Sequence, residues 1–197
     1  MRFYTVSDDY IAFLQKHEPR VYNNGGAGYK SKKAYIGNVL EIHSHKFIAP
    51  LTSYKPAQDK IDSSACSAFK LHERSNPHNK LGMIALNNMI PVPESEVAEL
   101  DIEAQADAYK RLLYKQYEYI KANRAEILSR AAKLYEHVVL KRTPFFVKIS
   151  CDIPKLVDEY KKFSVARPTE ERPEAADTVL PVGVDEVPVA TSASEVD

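Results

Sequence analysis

The sequence lacks several features that would define a class of protein at once. Its 197 residues include no tryptophan, six glycines and two cysteines, and no run of 18 consecutive apolar residues occurs. Cys66 and Cys151 are far apart and form no CxxC pair, which suits a reducing compartment better than a disulfide framework. Since the N-terminus also lacks the apolar core of a signal peptide, we expect a cytoplasmic protein without a membrane-spanning helix.

Sequence motifs of common cofactor and hydrolase sites are absent as well. The glycine-rich segment 23–28 has no GxGxxG spacing and no GxSxG occurs, so neither a nucleotide-cradling loop nor a serine hydrolase is indicated. His43 and His45 are two positions apart, but no cysteine or carboxylate cluster lies at ligand spacing around them. We therefore predict no metal and no cofactor, while a metal-assisted nuclease that uses these histidines remains an alternative.

A formal net charge of zero conceals an uneven distribution. From Ser164 onward the chain has eight acidic residues and only two arginines, a local charge of −6. Because the 27 basic and 27 acidic residues of the whole chain cancel, residues 1–163 carry +6. The composition predicts one domain at 1–163, followed by a disordered acidic tail at 164–197. A basic domain of this kind is attracted to polyanions.

Hydrophobic periodicity and capping residues predict both strands and helices in the domain. Ser7 and Asp152 are expected to cap the first and the last helix. Asn123 and Glu126 resemble a capping box that starts a new helix. The predicted strands are 2–6, 34–42, 45–51 and 80–92, the second and third forming a hairpin, and the predicted helices are 8–18, 107–121, 124–140 and 153–162.

The most informative segment combines hydroxyl groups with amines. An apolar strand pattern reaches a proline and is followed at once by Thr52, Ser53 and Lys55, with Tyr29 and Lys33 about twenty residues upstream. Because the flanking prolines favour irregular backbone, both hydroxyls can face one side of the strand end. Such donors and cations suit the charge-rich transition state of phosphodiester cleavage, for which RNA supplies its own 2′-hydroxyl nucleophile. The alternative is a strand end with solvated hydroxyls.

The helix predicted at 107–121 carries basic residues interleaved with tyrosines. Its basic residues are Lys110, Arg111, Lys115 and Lys121. Arg111 and Lys115 are four positions apart and share a helix face. One interpretation is contact with RNA phosphates and stacking of bases on tyrosine. The alternative places Tyr114 and Tyr117 at the edge of the hydrophobic core.

These residues belong to a wider resemblance. The chain is similar to the endoribonuclease toxins of type III toxin–antitoxin systems, the ToxN/AbiQ group, in collinear segments from Met1 to Asn123. The segments include MRFYT at 1–5, KAYIG at 33–37, FIAPLTS at 47–53, FKLHE at 69–73, MIP at 89–91 and YKRLLYKQ at 109–116. Tyr54 is a departure, because related sequences have a proline there, and it could alter base preference.

The resemblance implies both a fold and a reaction. The fold is α+β, with a strongly twisted antiparallel sheet wrapped by helices, similar to Kid/MazF-type toxins. The reaction is metal-independent RNA cleavage that leaves a 2′,3′-cyclic phosphate and a 5′-hydroxyl. The family's active-site positions match Tyr29, Lys33, Thr52, Ser53 and Lys55. The two hydroxyl residues would orient the scissile phosphate, the lysines would stabilise the transition-state charge, and the tyrosine would position the RNA.

The resemblance also implies RNA partners. The inhibitor in this family is a repeat-derived RNA pseudoknot that the toxin processes, and closed assemblies in which each RNA bridges two toxin subunits are typical. The basic residues of the 107–121 helix are candidates for contact with that RNA. The implied role is defence against phage by abortive infection. A non-catalytic RNA-binding module that uses the same basic surface is the alternative function.

Overall fold

The computed structural model describes residues 1–25, 33–42 and 44–166. Tyr29, His43 and the predicted tail from residue 167 onward lie outside the described residues. The strands are β1 (Phe3–Val6), β2 (Tyr35–Ile42), β3 (His45–Thr52), β4 (Phe69–Glu73), β5 (Asn76–Ile84), β6 (Ile90–Pro91) and β7 (Val97–Glu99). The helices are α1 (Asp8–His17), α2 (Asp107–Ala122), α3 (Arg124–Tyr135), α4 (Pro144–Ile149) and α5 (Ile153–Ala166). Within this described part, no helix is long and apolar enough to span a membrane.

The strands form an antiparallel sheet with the order β4-β5-β3-β2-β1-β7, and β6 pairs with β3. The hairpin predicted from the sequence is confirmed, since β2 and β3 pair with Tyr35 opposite Pro50 and Ile36 opposite Ala49. Ser44 in its turn has a φ of 65°, in the left-handed region that tight turns use. The predicted α+β class with an antiparallel sheet is therefore confirmed.

Two of the predicted helix caps are confirmed by hydrogen bonds. The Ser7 hydroxyl accepts from the Tyr10 backbone N–H at 3.3 Å and so caps α1. The Asp152 carboxylate accepts from the Lys155 backbone N–H at 3.2 Å and caps α5. Each bond satisfies an N–H group that has no partner inside the helix. These caps were readable from sequence because they depend only on near neighbours.

Two local predictions are wrong. Asn123 does not form a capping box, because its side chain donates to the Tyr119 carbonyl at 2.8 Å and thus helps to end α2 instead. The region predicted as a strand at 80–92 is interrupted, since a 3₁₀ turn at Leu86–Asn88 separates β5 from β6. The α2–α3 boundary was predicted at the right place, although for the wrong reason.

Strand β3 is buried on both faces of the sheet, which explains its continuous apolar sequence. Phe47, Ala49 and Leu51 belong to a core cluster that also contains Leu113 and other residues of α2 and α3. Ile48 points the other way and belongs to a second cluster with residues of α1 and α5. Side chains alternate between the faces of a strand, and because helices cover both faces, positions 47–51 of β3 are all buried and apolar. This burial fixes the end of β3, where the hydroxyl groups follow.

Pro50 lies inside β3 rather than at its end. The Leu51 N–H donates to the Ala34 carbonyl at 2.9 Å, toward β2, so the nitrogen of Pro50 faces the opposite side. On that side β3 changes partners, from β6 at Ile48 to β5 at Leu51. The 3₁₀ turn that connects β5 to β6 lies between these two pairings. A missing N–H is tolerated where the ladder is already interrupted.

A buried carboxylate joins the end of α1 to the start of α5. The Glu18 side chain is only 5% exposed and accepts from the Arg20 side chain at 2.8 and 2.9 Å. It also accepts from the backbone N–H groups of Arg20 and Asp152, both at 2.9 Å. Burial alone raises the pKa of Glu18, but the hydrogen bonds and charge of Arg20, with the Asp152 N–H, lower it to about 2. The carboxylate is therefore ionised and fully hydrogen-bonded in the fold.

Candidate active site

An open cleft of about 720 Å³ lies at the end of β3 and contains most of the predicted site residues. Lys33, Thr52, Ser53 and Lys55 all line it. Its other polar or aromatic lining residues include Tyr22, Asn23, Gln58 and Tyr109. We call this cleft the first cleft. Tyr29 lies outside the described residues, so its position relative to the cleft stays a prediction.

The pairing of β2 with β3 brings Lys33 and Thr52 together. Tyr35 pairs with Pro50, and the Leu51 N–H bonds to Ala34, so the same antiparallel register continues to Lys33 beside Thr52. The two residues are 19 positions apart in sequence but adjacent at one edge of the hairpin. This juxtaposition follows from extending the register by two residues beyond the first pair of β2 and β3, and both residues line the first cleft.

Irregular backbone after β3 places both hydroxyl residues at the same cleft. The strand ends at Thr52, and Ser53 follows in a segment without regular structure. The Thr52 hydroxyl donates to the Met83 carbonyl at 3.3 Å, which ties it to β5. As predicted, the change from regular strand to irregular backbone lets Thr52 and Ser53 line one cavity instead of opposite faces.

The side chain of Gln58 holds the Thr52–Ser53 segment in place by hydrogen bonds. It lies in a 3₁₀ turn at Pro56–Lys60 and is 7% exposed. Its side-chain N–H₂ group donates to the Thr52 hydroxyl at 3.2 Å and to the Ser53 carbonyl at 2.9 Å. A buried amide with two such bonds fixes the hydroxyl-bearing backbone, since leaving those partners unpaired would be costly.

Gly82 allows β5 to approach the same segment closely. Its φ is +125°, a backbone conformation that residues other than glycine rarely adopt. A Cβ built on Gly82 would lie 2.0 Å from the Thr52 carbonyl oxygen, a backbone atom that cannot move aside without moving the site. The glycine is thus required by both its backbone conformation and the close contact.

We expect the Gly82→Ala variant to be less stable by about 2 kcal/mol or more, because a strained φ alone costs about 1–3 kcal/mol. The displaced Thr52 backbone should also weaken any activity of the first cleft. Chemical denaturation and an activity assay on the same preparation measure both effects. Gly25→Ala is the matched control, since nothing lies within 4 Å of a Cβ at Gly25. Equal stability of the two variants would contradict the conclusion that the position of Gly82 requires glycine.

The first cleft has a positive electrostatic character. Lys33 and Lys55 line it, and no carboxylate is found among its described lining residues. Lys33 is 9% exposed, and its ammonium lies 5.2 Å from the centre of the Tyr22 ring, within range of a cation–π interaction. Ser53 and Lys55 are exposed and accessible to a ligand. Hydroxyls beside cations in one cleft are suited to bind and polarise a phosphate group.

The structure does not place the basic residues of α2 in the first cleft. Lys110 pairs with Glu103 at 3.4 Å and Lys115 with Glu73 at 3.0 Å, while Arg111 is exposed. Lys121 is also exposed, near the end of α2. Helix α2 does reach the first cleft, but through Tyr109. Contact of these four basic residues with RNA therefore stays a prediction for a surface beside the cleft.

The tyrosines of α2 have different environments. Tyr117 is half-buried and packs edge-to-face on Phe3, which agrees with a place at the edge of the core. Tyr114 is 43% exposed, and its hydroxyl donates to Glu103. Only Tyr114 of these two is available for stacking on a ligand.

The histidine alternative receives no support from the described residues. His45 forms a hydrogen bond with the Tyr160 hydroxyl of α5 and contacts its ring edge-to-face. In the part of the chain that the structure describes, no three residues among His, Cys, Asp and Glu are grouped to hold a metal ion. His43, the other histidine of the pair, lies outside that part.

Sequence reasoning missed Tyr22, Gln58 and Tyr109. Gln58 follows a proline that starts a 3₁₀ turn, but no local pattern indicates that its amide is buried against Thr52. The sequence pattern indicates Tyr109 only as part of the basic helix. These residues become site residues through tertiary packing, so a sequence signal for them does not exist.

The antiparallel α+β fold and this lysine- and hydroxyl-lined cleft define a protein whose site is suited to a phosphodiester. A family model described as toxin ToxN of type III toxin–antitoxin systems matches residues 2–161. The chain belongs to this family. It is 40% identical over 173 residues to endoribonuclease ToxN of Pectobacterium atrosepticum, an alignment that covers 87% of this chain and 99% of that protein. It is 32% identical over 163 residues to endoribonuclease AbiQ of Lactococcus lactis subsp. lactis, covering 79% of this chain and 85% of AbiQ.

Solved structures show the same similarity in three dimensions. One comes from work on a processed non-coding RNA that regulates a bacterial antiviral system; it has a TM-score of 0.78 and 40% identity, and the match covers 83% of this chain and 99% of that one. Another is AbiQ, a lactococcal anti-phage endoribonuclease of the type III toxin–antitoxin system, with a TM-score of 0.75, 30% identity and coverage of 83% and 98%. A third, from work on selective toxin inhibition by a non-coding RNA pseudoknot, has a TM-score of 0.72 and 29% identity, with coverage of 83% and 97%.

Proposed function

We propose that this protein is a metal-independent endoribonuclease toxin that acts in the cytoplasm as part of a type III toxin–antitoxin system. The observation that carries the proposal is the convergence of Lys33, Thr52, Ser53 and Lys55 on one cleft without a carboxylate among its described lining residues. Membership of the ToxN family supports the same reaction. Its biological role would be defence against phage by abortive infection.

The proposed reaction needs no nucleophile from the protein. The 2′-hydroxyl of RNA loses its proton and its oxygen attacks the adjacent phosphorus, while the bond from phosphorus to the 5′-oxygen breaks and that oxygen gains a proton. The products are a 2′,3′-cyclic phosphate and a 5′-hydroxyl. Lys33 and Lys55 stabilise the added negative charge, and Thr52 and Ser53 orient the phosphate. Tyr29 positions the RNA. Preorganised donors of this kind supply most of the catalytic effect in such sites.

The proposed inhibitor is an RNA pseudoknot that the protein itself processes. Two of the related structures come from work on a processed non-coding RNA and on a pseudoknot inhibitor. On this chain, the exposed Arg111, Lys121 and the neighbouring Lys110 and Lys115 would contact its phosphates from α2, beside the first cleft. A closed assembly, in which each RNA bridges two subunits, follows if each RNA end occupies a different cleft.

Cleavage of single-stranded RNA in excess chelator tests the proposal. We expect purified protein to cut the RNA with undiminished rate and to leave cyclic phosphate ends, which lack a free 3′-hydroxyl and are identified by mass spectrometry. Intact RNA in the presence of tightly bound protein would favour the alternative, a non-catalytic RNA-binding module. Cleavage that disappears with chelator and returns with added metal would contradict metal independence.

A further inference from the structure

A second cleft adjoins the first one on the other side of the segment after β3. Its volume is about 340 Å³, and we call it the second cleft. The lining residues that matter here are Tyr54, Gln58, Asp59, Lys70 and Lys80. Gln58 and Gly82 position the segment of the first cleft, but the roles proposed above for cleavage do not use Asp59, Lys70 or Lys80 of this cleft.

The polar groups of the second cleft form one connected cluster. Asp59 accepts from the Lys80 ammonium at 2.7 Å and from the Tyr54 hydroxyl at 2.8 Å. These two bonds hold the pKa of the Asp59 carboxyl below its usual value. The Lys70 ammonium donates to the Asp59 carbonyl at 3.5 Å. Two lysines near one carboxylate leave the cluster with a positive charge; the carboxylate holds Lys80, and the Asp59 backbone carbonyl holds Lys70.

The Tyr54 ring offers an aromatic surface in the same cleft. Its side chain is partly exposed, with 37% of the residue accessible. The Lys80 ammonium lies 5.2 Å from the ring centre, and the hydroxyl is held by Asp59, so the ring is fixed in orientation. A fixed aromatic ring beside cations is the arrangement that binds single-stranded nucleic acid, through base stacking and phosphate contact.

The two clefts are separated by little more than one stretch of backbone. Ser53 lines the first cleft and the next residue, Tyr54, lines the second. Gln58 lines both. Gly82 lines the second cleft, and its close contact with Thr52 connects the two walls. A polymer that places a phosphate at Ser53 would therefore pass its neighbouring nucleotide into the second cleft.

We infer that the second cleft binds the RNA nucleotide next to the scissile phosphate, with its base on Tyr54 and its outer phosphate at Lys70 and Lys80. This inference rests on the proposed function and adds a subsite to it. Stacking on Tyr54 gives the cluster a modest influence on the sequence that is cut, because every base presents an aromatic face and bases differ only in stacking strength. No group of the second cleft takes part in bond cleavage.

Kinetics of a double variant test the subsite. We expect Lys70→Ala with Lys80→Ala to raise KM about tenfold or more for a short RNA with one cleavage site, and to leave kcat within about twofold. Base stacking and phosphate contact act on binding, so Tyr54→Ala should also raise KM, most for the preferred base beside the cut. Lys60→Ala is the matched control, an exposed lysine of the adjoining 3₁₀ turn that lines neither cleft.

Binding without cleavage separates this inference from the proposed function. In a Ser53→Ala background, losing the contact with one phosphate lowers the slope of log affinity against log salt by about 0.7 for a single strand, so the double variant, which loses the one outer phosphate, should lose about 0.7. An unchanged slope and unchanged KM, in a protein that cuts RNA normally, would overturn the subsite alone. A protein that cuts no RNA but shows the predicted slope change would overturn the cleavage proposal and keep the subsite. Circular dichroism checks that each variant is folded.

Discussion

The Ser53→Ala and Lys33→Ala variants should each lose RNA cleavage by a factor of about 100 to 1,000 while remaining folded. A single transition-state donor in a preorganised site is worth about that much. Ser53 is exposed, so its removal should change stability by no more than about 0.5 kcal/mol. Lys33 lines the same cleft as Ser53, so both losses should appear in kcat more than in KM.

The measurement is single-turnover cleavage of one RNA substrate, with folding checked by circular dichroism and by the unfolding midpoint. Lys16→Ala is a control that removes a lysine from α1, away from the cleft lining. Lys33→Arg refines the test, because a guanidinium keeps the charge but not the shape of the ammonium. Normal cleavage by both alanine variants would remove the basis of the site assignment.

Glu18→Gln should lower the free energy of unfolding by about 3 kcal/mol. The substitution removes a buried charge that accepts four hydrogen bonds and leaves the N–H groups of Arg20 and Asp152 with poorer partners. Glu118→Gln is the control, because Glu118 forms an exposed pair with Arg74 at 3.7 Å. Exposed pairs contribute about 0–1 kcal/mol, so this variant should unfold close to the wild type.

The same residue predicts a pH dependence with a defined sign. The pKa of Glu18 is about 2 in the fold and 4.5 as its ordinary value. A carboxyl group whose pKa is lowered by folding stabilises the fold fully at a pH above its ordinary pKa. For Glu18 this stabilisation is lost as the pH falls from about 4.5 toward 2. Urea denaturation between pH 6 and pH 2.5 should show a steeper loss of stability in the wild type than in Glu18→Gln. If the free energies of unfolding of the two proteins fell in parallel with pH, Glu18 would not contribute to the pH dependence of stability.

Much of the fold was predictable because it depends on neighbours in sequence. The caps at Ser7 and Asp152, the hairpin and the boundary between α2 and α3 all follow from residues a few positions apart. Of the wrong predictions, the capping box at Asn123 fails on a near neighbour, Tyr119, but others depend on distant partners. The break at Leu86–Asn88 is one case, since the Asn87 side chain donates to the Ile149 carbonyl at 2.8 Å. No local pattern contains that bond.

The sequence by itself determined which groups are available for the site: two lysines, two hydroxyls and a tyrosine near two prolines, in a segment that resembles one family. Only the tertiary structure decided that Lys33, Thr52, Ser53 and Lys55 share a cleft, because sheet register joins residues 19 positions apart. It also decided the roles of Gln58 and Gly82. A buried amide bond and a backbone approach too close for a Cβ are properties of packed atoms, and a linear sequence does not contain those distances.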